Sequence, residues 1–376
     1  MKYHINRSKN LCDYLDKQGW SKALNNEISD FSMWDTYKHK PISSKIKVWE
    51  KEDSYKVDHL YYFHKGLEEL KHTNLAPYTI TDWKNPDKKL CEKDFSYKDF
   101  WFLKKSTLCH GKGINVLSSY DDYIKYLEDD KYTECDFVLQ KCIYDSHLID
   151  NRKYIIRIYI LTINKQNYLY HDGLYYTALF PIDKDFKDIY ITDNNKIVDS
   201  NDKHRLIPKK QMRINTHITH WKADTELKPY GILDLRIKGI LSDLPEYKQI
   251  IKNIYKNASG LNKLFQKVYD ESVSNNSLKY YHIWGLDYLV LPNLDVKCIE
   301  INGYPCLTHG FRGCGEKERP FEYKFRESGF DRDLMRRLGY DFENKKNSYN
   351  SWIELKNKKI NKSKKNKRKK NRTMKK

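Results

Sequence analysis

Asp287, Glu300 and Asn302 stand close together in YHIWGLDYLVLPNLDVKCIEINGYPCL, residues 281–307, inside two runs that otherwise read as strand. Ile283 to Leu291 and Val296 to Ile301 are β-rich, and Pro292-Asn293-Leu294-Asp295 between them is turn-like. A hairpin of even loop length sets Leu291 opposite Val296, and counting outward sets Asp287 opposite Glu300. Asn302, two residues beyond Glu300, shares its face. Like charges directly opposite across a ladder are destabilising, so the arrangement points to a cation between them. Magnesium takes a few carboxylate or amide oxygens and completes its shell with phosphates and water, which suits this donor set.

Cations in costly places point the same way. Lys104 and Lys141 each end an apolar strand, and Arg157 sits mid-strand between Ile156 and Ile158, where a charge needs an anion. Each alone has a plain reading, since a lysine at a strand end is ordinarily a solvated cap. Together with the carboxylates they suggest a magnesium triphosphate, with oxygen ligands on one side and cations on the other. The glycines of Gly111-Lys112-Gly113 allow close backbone approach to phosphates, though the segment also reads as a hairpin turn. It is not a P-loop, because GxxxxGK[ST] is absent.

The elements that must hold these residues can be read coarsely. DFWFLKK (99–105), INVLSS and CDFVLQKCI (135–143) read as strands, and YDDYIKYLEDD (120–130) has helical spacing. RKYIIRIYILTI (152–163) and YLYHDGLYYTALF (168–180) look like a long hairpin, and residues 181–216 read as polar loop. LPEYKQIIKNIYKNASGLNKLFQKVYDESV (244–273) has the period of one or two amphipathic helices. The irregular alternation argues for an α+β fold built on antiparallel sheets.

The 376 residues, 39% hydrophobic with 31 tyrosines and 8 tryptophans, suit a folded chain with a large core. No apolar run is long enough to span a membrane, and the first fifteen residues lack the apolar core of a secretory signal. The eight cysteines show no CxxC spacing and read as reduced core residues. These features set the expectation of a cytoplasmic protein with no membrane partner. Of the net charge of +19, most comes from the thirteen Lys and Arg of KNKKINKSKKNKRKKNRTMKK (356–376). Such a segment is expected to be disordered. Its functional readings are nuclear import and attraction to nucleic acid or to an acidic protein; its plain reading is a solubilising tail.

FWFLKKSTLCHGKGINVL, FVLQKCI, LIDNRKYIIRIYILTI, YLYHDGL, HITH and IWGLDYLVLPNLDVKCIEINGYPCL occur in an order and spacing that resembles the tubulin–tyrosine ligase-like family, of the ATP-grasp superfamily. The resemblance covers about residues 72–312. It implies an ATP-grasp fold whose antiparallel sheets clasp ATP, and it is faint over 1–71 and absent in the tail. The expected division is a small N-terminal α/β subdomain over 1–71, the ligase domain over 72–345 and a disordered basic tail over 346–376. The resemblance implies that Lys104 and Lys153 contact the nucleotide and that Gln140-Lys141-Cys142-Ile143 is the hinge that holds adenine. Gly111 and Gly113 join the ATP-binding set, Arg157 acts at the reacting phosphate, and Asp287, Glu300 and Asn302 hold Mg2+. The activity implied is ATP-dependent ligation of a free amino acid to the carboxylate of an acidic protein such as tubulin, through an acyl phosphate. Three positions depart from the family pattern: Ile155 replaces an aspartate, Tyr175 and Tyr176 stand where an arginine is usual, and His220 replaces an asparagine. They favour an alternative, a weak or inactive nucleotide-binding module that uses its basic tail on an acidic or nucleic-acid partner.

Overall fold

The computed structural model describes residues 1–5, 9–24, 27, 29–33, 46–48, 57, 59–85, 90–96, 98–107, 113–182, 189–191, 197–199, 237–272, 279–303, 305, 325, 329–340 and 351–356. Gly111, Lys112 and His220 lie outside them, as does most of the basic tail.

Two sheets matter for function. The larger is centred on β10 (Arg152–Ile163), which pairs antiparallel with β11 (Gln166–Thr177) on one side and β15 (Lys279–Val290) on the other. Beyond β15 lies β16 (Val296–Asn302), and beyond β11 lies β14 (Lys238–Ile240). Short strands β4 (Ile46–Val48), β9 (Leu148–Ile149) and β17 (Trp352–Glu354) add to β15, β10 and β11. The smaller antiparallel sheet has the order β5 (Thr79–Ile80), β8 (Phe137–Lys141), β6 (Trp101–Lys105), β7 (Ile114–Leu117).

Strand β10 lacks the clean alternation of a half-exposed strand because both of its faces are covered. Ile156, Ile158 and Ile160 point into one core with α2 (Leu60–Glu69) and α4 (Tyr247–Ser272). Helix α4 presents Ile250, Ile254, Ala258, Leu261, Phe265 and Val268 at helical spacing to that core. Tyr159 and Leu161 point the other way, into a second core. That core includes a small parallel sheet of β1 (Lys2–Ile5), β2 (Ser21–Lys22) and β3 (Phe31–Met33), α1 (Lys9–Lys17) and α5 (Asp331–Leu338). On this second face Lys153, Ile155 and Arg157 precede Tyr159, and there the sheet borders a cleft instead of a core. Helix α3 (Tyr120–Glu128) backs the smaller sheet.

The α+β class and the antiparallel sheets agree with the sequence reading. Three boundaries do not. A break at residue 71 would cut α2 from the sheet, although Phe63 and Leu67 are buried in its core. A tail beginning at 346 would include β17, which pairs with β11 and buries Trp352 and Leu355. Residues 181–216 are not wholly loop, since β12 (Ile189–Ile191) and β13 (Ile197–Asp199) form a ribbon. Helix α2 packs on, and β17 pairs with, strands distant in the chain, which local composition does not register.

Candidate nucleotide site

A cleft open to solvent lies between the smaller sheet and the second face of the larger one. Phe102 and Lys104 of β6, Ile114 of β7 and Gln140 of β8 line one wall. Lys141, Cys142 and Ile143 connect the two sheets, and the other wall carries Lys153, Ile155, Asp287, Leu289, Ile299 and Glu300. The mixed apolar and charged lining suits a small organic ligand with charged groups.

The carboxylates face each other, but not by the predicted register. Val290, not Leu291, pairs with Val296, because the turn is a five-residue loop closed by Leu291 N–H donating to Asp295 O, with Leu294 left-handed. The register then shifts between Tyr288 and Asp287, where Ile299 is an extra residue, and Asp287 meets Glu300 after all. The bulge turns Ile299 and Glu300 both toward the cleft. Two departures from a regular hairpin thus cancel.

Arg157 and Asp287 are direct cross-strand partners. The guanidinium donates to both oxygens of Asp287, from Nη2 at 2.7 Å and from Nε. Burial disfavours the Arg157 charge, but Asp287 outweighs it and holds the guanidinium firmly protonated. Gly285 makes room for this side chain: a Cβ there would stand 3.1 Å from Arg157 Cδ and 2.6 Å from Pro305 Cβ. Asp287 is only 2% exposed, and burial, with Glu300 adding to it against Arg157, pushes its carboxyl up to about 7. Burial acts on Glu300 too, but Asp287, Arg157, Lys104 and Asn302 together hold it below the ordinary carboxylate range. Asn302 Nδ2 donates to Glu300 Oε1 at 3.2 Å, leaving the amide oxygen as a further candidate ligand. Burial raises one of two facing carboxyls while its neighbours lower the other, an electrostatic conflict that a divalent cation would relieve. Among the described residues no group of three or more His, Cys, Asp or Glu could hold a metal ion. Two carboxylates and an amide oxygen are a donor set that suits magnesium, which needs few protein ligands.

Across the cleft Lys104 donates to Gln140 Oε1 at 2.6 Å. Burial lowers its pKa, and Glu300, Cys142 and Asp287 act against that lowering. Lys153 is 2% exposed, donates to Ile143 O and reaches Cys142 Sγ at 3.7 Å. Burial lowers its pKa as well. The connection after β8 is pinned by backbone bonds, Lys141 N–H to Tyr78 O and Cys142 N–H to Phe100 O, both 2.9 Å. The side chain of Lys141 turns to Asp99 at 2.9 Å, a half-exposed pair that stabilises little. Gly113 takes a left-handed φ of 70°, and Lys105 N–H donates to its carbonyl, so the described end of that loop does need glycine.

The structure thus brings Lys104, Gln140, Lys141, Cys142, Ile143, Lys153, Asp287 and Glu300 to one cleft, with Arg157 and Asn302 bonded to its carboxylates. The sequence reading missed Phe102, Leu289, Ile299, Thr79 and His64. Strand alternation from Lys104 and Asp287 would have reached Phe102 and Leu289; the bulge hid Ile299, and His64 comes from a helix with no local signal. Ile155, in place of the family's aspartate, lines the cleft, and Tyr176 is its cross-strand partner on β11.

Residues 56–312 match the Tubulin-tyrosine ligase family. No curated protein matches the chain.

Proposed function

We propose that this chain, which belongs to the tubulin-tyrosine ligase family, joins an amino acid to a protein carboxylate with ATP. Membership gives the general class, a ligase on an ATP-grasp-like fold; the acceptor, the donor and the residue roles are our reading. The observation that carries it is the Arg157–Asp287–Glu300 row, facing Lys104 across the cleft.

Asp287, Glu300 and the amide oxygen of Asn302 would hold magnesium, which when bound neutralises charge on a triphosphate. Apolar Phe102, Ile114, Leu289 and Ile299 offer a base and ribose surface. The Lys104 ammonium meets phosphate oxygens, and Arg157, oriented by Asp287, presents its free donors to the transferring phosphoryl group. The carboxylate oxygen of the acceptor attacks the γ-phosphorus and ADP leaves. The amine of the donor then attacks the acyl carbon, loses a proton and expels phosphate, forming the amide. An acidic polypeptide is the acceptor class that fits a chain of net charge +19.

Hydroxylamine tests the intermediate. Incubated with the full chain, ATP, magnesium and an acidic polypeptide, it would be converted to a protein hydroxamate. Ile155 in the cleft favours a second reading, a nucleotide-binding module without turnover. Tight ATP binding without hydroxamate or ADP release would establish that reading instead.

A further inference from the structure

We propose that Thr79 is a positioning residue for Lys104, acting through the side-chain amide of Gln140; this rests on the reading of the cleft as a nucleotide site. Thr79 and Gln140 are register partners across β5 and β8, and Gln140 is 2% exposed. The Thr79 hydroxyl donates to Pro77 O at 3.1 Å, so its lone pairs face Gln140, whose Nε2 donates to it at 3.1 Å. Gln140 Oε1 is then left to accept from Lys104 Nζ. The two ends of a glutamine amide are nearly alike in shape, and their chemistry alone decides which way it points. Reversed, the amide would aim N–H groups at an ammonium. Pro77 carbonyl, Thr79 hydroxyl, Gln140 amide and Lys104 ammonium therefore form one directed chain, in which each bond polarises the next.

His64 supports the same orientation. Its Nε2 lies 3.5 Å from Gln140 Nε2 and 3.4 Å from Thr79 Oγ1, and at 4% exposure the ring is placed to accept from the amide. Helix α2 thereby joins the cleft wall through a side chain that touches no ligand position itself. Without the hydroxyl of Thr79 the better acceptor for the amide is gone, Gln140 can turn, and Lys104 loses the partner that holds its ammonium at the cleft.

The test is calorimetric titration of the full chain with magnesium ATP and with adenosine. Thr79→Val is expected to weaken ATP about tenfold, the scale of one hydrogen bond to a charged group, and to weaken adenosine much less. Thr79→Ser keeps the hydroxyl and should bind ATP as the unsubstituted chain does. In a Lys104→Ala background, Thr79→Val should add no further loss, because its effect passes through that ammonium. Should Thr79→Val fail to fold, Thr79→Ala carries the same expectations. Unchanged ATP affinity in Thr79→Val would overturn the proposal. So would an equal loss for adenosine, a full additional loss on top of Lys104→Ala, or a Thr79→Ser variant as weak as Thr79→Val. Unchanged ATP binding in Lys104→Ala alone would overturn the cleft reading itself, and the relay with it.

Discussion

Both oxygens of Asp287 accept from Arg157, and Glu300 faces it from the next strand. Burial pushes the Asp287 carboxyl up to about 7 against the opposing pull of Arg157, so the metal-free pair takes up a proton as pH falls through neutrality. A carboxyl raised in the folded state contributes stability that is fully present at acid pH and lost as pH rises through its folded value. Without metal, melting temperature is expected to fall relative to Asp287→Asn as pH rises from about 5 to 8. Magnesium at this site would bind the ionised pair, so the stabilisation it gives should grow over the same window. A difference between the two chains that stays constant with pH would refute the assignment. Arg157 makes a second demand at this scale. Lysine in its place keeps the charge but cannot serve Asp287 and a phosphoryl group with one planar fork. Arg157→Lys is expected to lower ligation by about 10²-fold while ATP affinity changes much less. Unaltered ligation with a lowered melting temperature would make Arg157 a structural partner of Asp287 only.

The β15–β16 hairpin shows how an element sets chemistry. Its bulge directs Ile299 and Glu300 into the cleft together, one apolar and one charged. Ile299→Ala should weaken ATP and adenosine alike, by roughly 1–2 kcal/mol for the apolar contact removed; a loss confined to ATP would move Ile299 from the base to the phosphates. The facing of Asp287 and Glu300 was legible in the sequence because two carboxylates stand out in otherwise apolar strands. The turn and bulge were not, since Leu294 in left-handed backbone carries no composition signal. Long strands such as β10 and β11 were legible from their apolar runs. β14 and β17 were not, because three-residue strands take their pairing from the sheet they join. The last of these has a consequence for the C-terminal boundary. Asn262 Nδ2 donates to Leu355 O, and Trp352 is 1% exposed. A chain ending at 350 should lose several kcal/mol, on the order of deleting one large core side chain, whereas one ending at 356 should melt as the full chain does. Equal melting of all three would remove β17 from the stable fold.

Across the whole molecule, two chemistries are separated. The carboxylates and Arg157 sit on the large sheet, while Lys104 and Gln140 sit on the small one, so a ligand between them would bridge the two walls. Among the described residues no helix is long and apolar enough to cross a membrane. On the proposed function, the basic residues of 357–376 would supply long-range attraction to an acidic acceptor, screened beyond about 10 Å at 0.1 M salt. A chain ending at 356 should therefore bind acidic polypeptide more weakly at low salt, with a flatter salt dependence and unchanged ATP affinity. Unchanged binding would leave those residues a solubilising role alone. The most direct measurement is incorporation of labelled amino acids, each in turn, into protein of a host-cell extract, with ATP and magnesium. We expect one amino acid to be incorporated in an ATP-dependent manner by the full chain and none by Glu300→Gln, a variant of nearly constant shape. Incorporation by Glu300→Gln equal to that of the unsubstituted chain, or no incorporation of any amino acid by a chain that binds ATP, would contradict the account.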